Sequence, residues 1–390
     1  MISRPAGAIR CVRAALAQPV TDAAGGDGPL PRSRAAGPGP ETHDLTASII
    51  RRNTLRAMRV VVADPPAYTP PYDHALAAAL ARAGADVELV TSRFRFGDVV
   101  APEGYRRREL FYPLSSRLFR RSRLRVPLKA LEHPLGLVRL AATRADVVHM
   151  QWLAAPELDL RLLRHRAPLV LTAHDLLPRR TAHKVRLWRR LFDRFERIVV
   201  HSERGCETLA AFGVPEAKLR VIPHPVSPSD PGRRDDGRTV LALGLVRPYK
   251  QLDHAREAVS RLAGAQLRVA GDADTFLSEA EIDRALGEST VAVFPYRPEL
   301  DQSGALLRAL GAGVPAVVYD VGGLGEPVRA FGAGRVVKPD DVDALADALG
   351  ELLDDESALA AARAGASRAR AELTWDAAAH AHLELYRELL

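Results

Sequence analysis

The alternation of short β-branched runs with Ala/Leu-rich helical stretches most constrains this chain, because the pattern occurs twice. The first series opens at Met58 with Arg59-Val60-Val61-Val62-Ala63-Asp64, a short buried strand of the parallel type. A helix over 73–83 follows, closed by Gly84, and further strands are expected at 87–91, 147–150, 168–172, 198–201 and 219–222. The stiff polar stretch Pro223-His224-Pro225 through Pro231-Gly232 then interrupts the pattern. A second series starts at Thr239, with strands at 239–244, 267–270, 291–295 and 315–319 and helices at 252–262, 304–312 and 341–353. Two consecutive βα series predict two doubly wound domains with parallel sheets. Their ligands sit beyond the carboxyl ends of the strands.

The boundaries follow. Residues 1–57, rich in Ala, Gly, Pro and Arg, cannot bury enough apolar surface to offset their ordering entropy and read as a disordered extension. Arg4, Arg10 and Arg13 interrupt any apolar signal-peptide core, and Met58 is a candidate alternative start. The first domain is expected over 58–226, a linker over 227–238, the second domain over 239–373, and a C-terminal helix over 374–390 that packs back across both.

No run of about 18 uncharged apolar residues is present in the 390, so no transmembrane helix is expected. The two cysteines, Cys11 and Cys206, make no disulfide framework or cysteine metal site, which favours a reducing, cytoplasmic setting. The net charge of +7 is unevenly spread: residues 1–57 carry eight Arg and four acids, and 105–129 carry nine cations and only Glu109. The rest of the chain sums to 7 − 4 − 8 = −5. Within 105–129 the cations are interleaved with Phe111, Tyr112, Leu114, Leu118, Phe119 and Leu124. That composition suits contact with an anionic membrane surface. No nucleic-acid-binding module accompanies the charge, so nucleic acid is not expected as a partner.

Four stretches at strand ends could carry chemistry. Gly244-Leu245-Val246-Arg247-Pro248-Tyr249-Lys250 follows a strand, and its two cations can converge on one polyanion. Lys250 is one of only five lysines, against a background of arginine. Phe294-Pro295-Tyr296-Arg297 and then Gln302-Ser303-Gly304-Ala305 open a helix whose free N–H groups can hold an anion, although Ser303 also reads as an ordinary N-cap. Gly322-Gly323-Leu324-Gly325-Glu326 permits tight turns against a ligand or a neighbouring helix. In the first domain, Thr172-Ala173-His174-Asp175 places a histidine where it can order a substrate hydroxyl or simply pack at the cleft. His149, Trp152, His201 and His224 read as structural. Asp272-Ala273-Asp274 could hold a divalent metal, but an acidic turn explains it better at this strand end.

Taken as a set, these motifs resemble the family-4 retaining glycosyltransferases of the GT-B fold, over about residues 58–390. The carriers are Gly244 with Arg247 and Lys250, Phe294-Pro295-Tyr296, Gln302-Ser303-Gly304, Ala312-Gly313-Val314-Pro315, Gly322-Gly323 with Glu326, Thr172-Ala173-His174-Asp175, Val221-Ile222-Pro223-His224 and Leu373-Thr374-Trp375-Asp376. The resemblance implies two Rossmann-like domains facing a cleft, acceptor in the first and nucleotide-diphosphate sugar in the second, with no metal and no cofactor. Gly244, Arg247, Lys250, Tyr296, Ser303, Gly304, Ala305 and Glu326 would bind the donor. His174, Arg247 and Lys250 would be catalytic. A cytoplasmic protein acting at the inner membrane face on a glycan, lipid-linked or small acceptor is implied. Two departures stand out. The paired glutamates of the family fall at Leu300 and Arg308, which leaves open a degenerate GT-B protein that binds nucleotide sugar or glycan without turnover. The glycine-rich loop after the first strand is replaced by Pro65-Pro66-Ala67-Tyr68-Thr69-Pro70-Pro71.

Overall fold

A computed structural model describes residues 12–13, 57–94, 99–118, 124–178, 180–272, 277–298 and 301–390. The first domain is a fully parallel eight-stranded sheet in the order β1-β8-β7-β6-β5-β2-β3-β4. Its strands are β1 (Val12–Arg13), β2 (Arg59–Asp64), β3 (Asp86–Ser92), β4 (Arg106–Phe111), β5 (Val147–Met150), β6 (Leu169–Thr172), β7 (Arg197–Val200) and β8 (Leu219–Val221). Helices α1 (Pro70–Arg82), α2 (Arg125–Ala141), α3 (Pro156–Leu162), α4 (Val185–Phe192) and α5 (Glu203–Phe212) connect them. The central strands are buried on both faces, as their unbroken apolar runs require.

The second domain is a five-stranded parallel sheet, β10-β9-β11-β12-β13. Its elements are β9 (Thr239–Leu243), α6 (Leu252–Ser260), β10 (Gln266–Ala270), α7 (Glu279–Gly287), β11 (Val291–Phe294), α8 (Gly304–Gly311), β12 (Ala316–Tyr319), α9 (Gly325–Phe331), β13 (Gly334–Val337), α10 (Val342–Asp354) and α11 (Glu356–Glu372). The last helix, α12 (Trp375–Arg387), returns to the first domain. There Ala378, Leu383 and Tyr386 join the core formed by Leu76 and Leu80 of α1 with Val60 and Val62 of β2. Tyr386 Oη and His149 Nδ1 lie 2.6 Å apart, and Arg82 pairs with Asp376 at 2.6 Å. The crossing back expected from sequence is therefore made by packing, a buried hydrogen bond and a surface ion pair.

Two features differ from the sequence expectations. Val12–Arg13 pair in register with Arg220–Val221 at one sheet edge, so this part of the leading segment is a strand. The remainder of 1–56 lies outside the described residues, Cys11 included; Cys206 is buried in α5 and disulfide-bonded, which corrects the expectation that the cysteines form no disulfide and removes that argument for a reducing setting. Arg106–Phe111, read as part of a basic membrane-facing stretch, forms the opposite edge strand β4. Arg106 pairs with Asp86 at 3.0 Å and Arg108 with Glu88 at 3.1 Å, while Phe111 and Tyr112 are buried. Charged side chains on an edge strand discourage pairing with another chain, which explains a strand that reads as a charge run.

Candidate active site

In the second domain, β9 ends at Leu243 and the chain turns through Gly244 at φ +89°. A side chain there would be strained, and its Cβ would stand 3.0 Å from Lys250 Nζ and 3.8 Å from the Ala305 side chain. That contact fixes the site: the β9–α6 loop, the lysine and the start of α8 meet at one point. Lys250 is buried, with Nζ donating to Leu243 O at 2.7 Å and lying 5.5 Å from the centre of the Tyr296 ring. Burial, with the Arg247 charge adding to it, lowers its pKa to about 8. Arg247 is half-buried beside it and donates to Val246 O at 3.2 Å. Tyr296 is buried and its hydroxyl is pushed well above the ordinary phenol range by burial.

Ser303 caps α8 by accepting from Leu306 N at 3.3 Å. A Cβ on Gly304 would meet open space, so the first turn of α8 faces outward. The leading N–H groups of a helix precede any intrahelical acceptor and carry the positive end of its dipole. Gly244, Arg247, Lys250, Tyr296, Ser303, Gly304 and Ala305 thus assemble into one basic, N–H-rich corner suited to a polyanion.

Glu326 is placed differently. Its two carboxylate oxygens accept from the backbone N–H groups of Arg204 (2.9 Å) and Glu203 (3.0 Å), capping the first-domain helix α5 across the cleft. Beside it, Ser202 Oγ accepts from Gly205 N and donates to Asp301 Oδ1 at 2.8 Å. Burial, with the neighbouring Glu326 charge, raises the Asp301 pKa to about 6. Gly323 is packed so closely that a Cβ would come within 2.3 Å of Ser202 Cβ. The Gly322-Gly323 motif therefore serves contact between the domains. Sequence reasoning missed Ser202 and the docking role of Asp301, because long-range contacts leave no local spacing.

In the first domain, His174 lies just past β6, with Nε2 at 3.0 Å from Gln151 Oε1 and its ring stacked on Trp152 at 5.1 Å. Burial holds its pKa well below the usual histidine range, so it is neutral at pH 7. His174, Asp175, Arg204, Asp301 and Gly322 share an interdomain cavity of about 360 Å³. His174 thus lines this interdomain cavity, and none of the second-domain corner residues is among its described lining residues. Of the acidic turn, Asp274 lies outside the described residues, and no group of three or more metal-ligating side chains occurs among the described ones.

Comparison with known proteins agrees with this architecture. The model of Glycosyltransferase Family 4 matches residues 72–230, and that of Glycosyl transferases group 1 matches residues 237–355. The D-inositol 3-phosphate glycosyltransferase of Mycolicibacterium smegmatis is 26% identical over 76% of this chain and 80% of its own length. An exopolysaccharide phosphotransferase of Streptomyces coelicolor is 29% identical over 42% of this chain, and the match covers only 20% of that protein. Anabaena Alr3699/HepE, solved with UDP-glucose, superposes with a TM-score of 0.63 at 15% identity, covering 85% of this chain and all of that one. With two Rossmann-like domains across a cleft and both halves matched in order, the chain belongs to the family-4/group-1 glycosyltransferases of the GT-B fold.

Proposed function

We propose that this glycosyltransferase moves a sugar from a nucleotide-diphosphate donor to a hydroxyl acceptor, with retention of anomeric configuration. The observation that carries the reading is the convergence of Lys250 Nζ, Gly244 and the start of α8, with Arg247 adjoining. As the bond from the anomeric carbon to the diphosphate oxygen breaks, Lys250 and Arg247 offset the charge that develops on the leaving group. The acceptor oxygen bonds to the same face of that carbon, and its proton passes to the departing phosphate. His174, neutral and fixed by Gln151, orders a hydroxyl near the reacting carbon. The solved relative holding UDP-glucose supports a nucleotide-sugar donor, and the curated relatives named for D-inositol 3-phosphate support a polyol or sugar hydroxyl as acceptor.

A screen of nucleotide sugars for thermal stabilisation tests the donor, since a bound ligand raises stability by mass action. At 100-fold excess over Kd the expected gain is about 2.7 kcal/mol, and Arg247→Ala should lose it. Proton NMR of the product's anomeric centre reads the stereochemistry, and an inverted product overturns retention. A second reading, binding without turnover, is favoured by Arg308. This residue stands at the family's second glutamate position and forms a bidentate pair with Glu279 at 2.6 and 2.9 Å instead of facing the donor corner. Nucleotide-sugar binding with no transfer to any acceptor would select it.

The same reading places the enzyme at the cytoplasmic face of an anionic membrane. No helix among the described residues is long and apolar enough to cross one. Instead Leu124, Leu131, Leu135 and Val138, spaced to form one stripe along α2, are 58% to 71% exposed. Residues 115–129 add six cations and no acid. The membrane-facing surface is thus centred on α2, C-terminal to most of the basic stretch. In flotation assays, Leu131→Glu/Leu135→Glu should cut binding to phosphatidylglycerol vesicles at least ~5-fold, each buried CH₂ being worth ~0.8 kcal/mol. Unchanged flotation would remove the membrane from this reading.

A further inference from the structure

The loop after β2 offers no backbone N–H to bind phosphate. Pro65, Pro66, Pro70 and Pro71 have no N–H. Ala67 N donates to Asp64 O at 3.1 Å, and Tyr68 N and Thr69 N both donate to Asp64 Oδ2, at 2.7 and 3.2 Å. Every backbone donor from 65 to 71 is therefore missing or already used by Asp64. Beneath the loop Asp64 and Asp73 are both buried; burial holds both carboxyls above the ordinary range, and for Asp73 the neighbouring Asp64 adds to it. An anion approaching here finds no backbone N–H to hold it. Among the described lining residues of the interdomain cavity stand Asp175, Asp301 and Asp320, the last paired with Arg329 at 2.9 Å, beside Arg204, which is paired with Glu207.

In place of donors, the loop presents rings. Tyr68 is 60% exposed and packs edge-to-face on Trp152, with centroids 5.3 Å apart at 77°. Trp152 is held by its indole N–H, which donates to Thr69 Oγ1 at 2.9 Å, and it stacks on His174 at 5.1 Å and 16°. His174, at one end of the stack Tyr68–Trp152–His174, lines the interdomain cavity. Rigid aromatic faces carry negative π-density and attract weakly positive C–H groups. The faces of a pyranose ring offer such C–H groups, whereas its edge carries hydroxyls.

We propose that the acceptor is an uncharged carbohydrate, seated with the C–H face of one ring against the Tyr68–Trp152 ledge, and not a sugar or polyol phosphate. This rests on the glycosyltransferase reading above and sharpens its acceptor class.

Saturation-transfer NMR on the full chain, with glucose, glucose 6-phosphate and maltose as probes, tests it without requiring turnover. Maltose should receive saturation at its ring C–H protons, and glucose 6-phosphate should bind no tighter than glucose. Tyr68→Ala, at an exposed position, should weaken maltose at least ~5-fold, as should Trp152→Phe to a smaller extent. Tyr68→Ala should keep the wild-type melting temperature, and both variants should keep stabilisation by UDP-glucose. Glucose 6-phosphate binding tenfold tighter than glucose would overturn the proposal. So would maltose affinity unchanged in both variants, or no saccharide binding at all. If nucleotide sugars fail to stabilise the wild type while maltose still binds at the ledge, the donor assignment fails and the ledge stands.

Discussion

Lys250→Ala is expected to lower kcat/KM by about 10²–10³-fold, the range for removing one preorganised group that stabilises charge developing in the transition state. The melting temperature should hold, because the buried ammonium costs folding free energy before donor binds. With its pKa at about 8 in the fold, against the ordinary lysine value of 10.5, the unfolded chain binds more protons across that window. Stability therefore rises with pH from about 8 towards 10.5, and the full cost of the buried charge is present below pH 8. Lys250→Met should lack this rise. Donor binding has the opposite pH dependence, since a diphosphate needs the ammonium. Affinity should stay level below pH 7 and be about fivefold weaker at pH 9 than at pH 8. Calorimetry in buffers of different ionisation enthalpy should show proton uptake on binding near pH 8.5. Wild-type turnover in both Lys250→Ala and Arg247→Ala would exclude this corner from the reaction.

The clustering of the proposed donor corner was legible in the sequence because it is local. Gly244, Arg247 and Lys250 span seven residues of one strand–helix loop, and Ser303 to Ala305 span one helix start, so spacing alone places them at strand ends. The double βα rhythm was legible for the same reason: buried parallel strands such as Val60–Ala63 are unbroken apolar runs. What escaped was set by partners distant in sequence. Arg106 and Arg108 of β4 pair diagonally with Asp86 and Glu88 of β3, and an edge strand written in arginines has no strand signature of its own. Glu326 reads as a donor ligand in its motif, yet its oxygens are engaged by a helix 122 and 123 residues earlier in the chain. The aromatic ledge escaped because Tyr68 and Trp152 are 84 positions apart.

The Glu326 contact leads to the second large effect. Four groups of the second domain, Asp301, Gln302, Gly323 and Glu326, meet the turn and first residues of α5, and at Gly323 the packing leaves no room for a Cβ. Gly323→Ala would put a methyl 2.3 Å from Ser202 Cβ, a separation no packed pair of carbons tolerates, so the two domains must part. Small-angle scattering should show a radius of gyration larger by about 1 Å, and kcat/KM should fall about 10²-fold from misplacement of the two halves of the site. Donor-induced stabilisation should survive, because the Lys250 corner lies within one domain. Asp301 sets the pH dependence of the same contact. Opening returns its carboxyl to water and to the ordinary range near 4, whereas closure holds it at about 6. Closing therefore takes up a proton between these values, and its cost rises with pH through that window and is fully present above 6. Asp301→Asn should flatten the scattering change between pH 4 and 6 and leave the closed dimensions at pH 7.5. A Gly323→Ala variant with wild-type dimensions and wild-type turnover would show that catalysis does not pass through this closed arrangement.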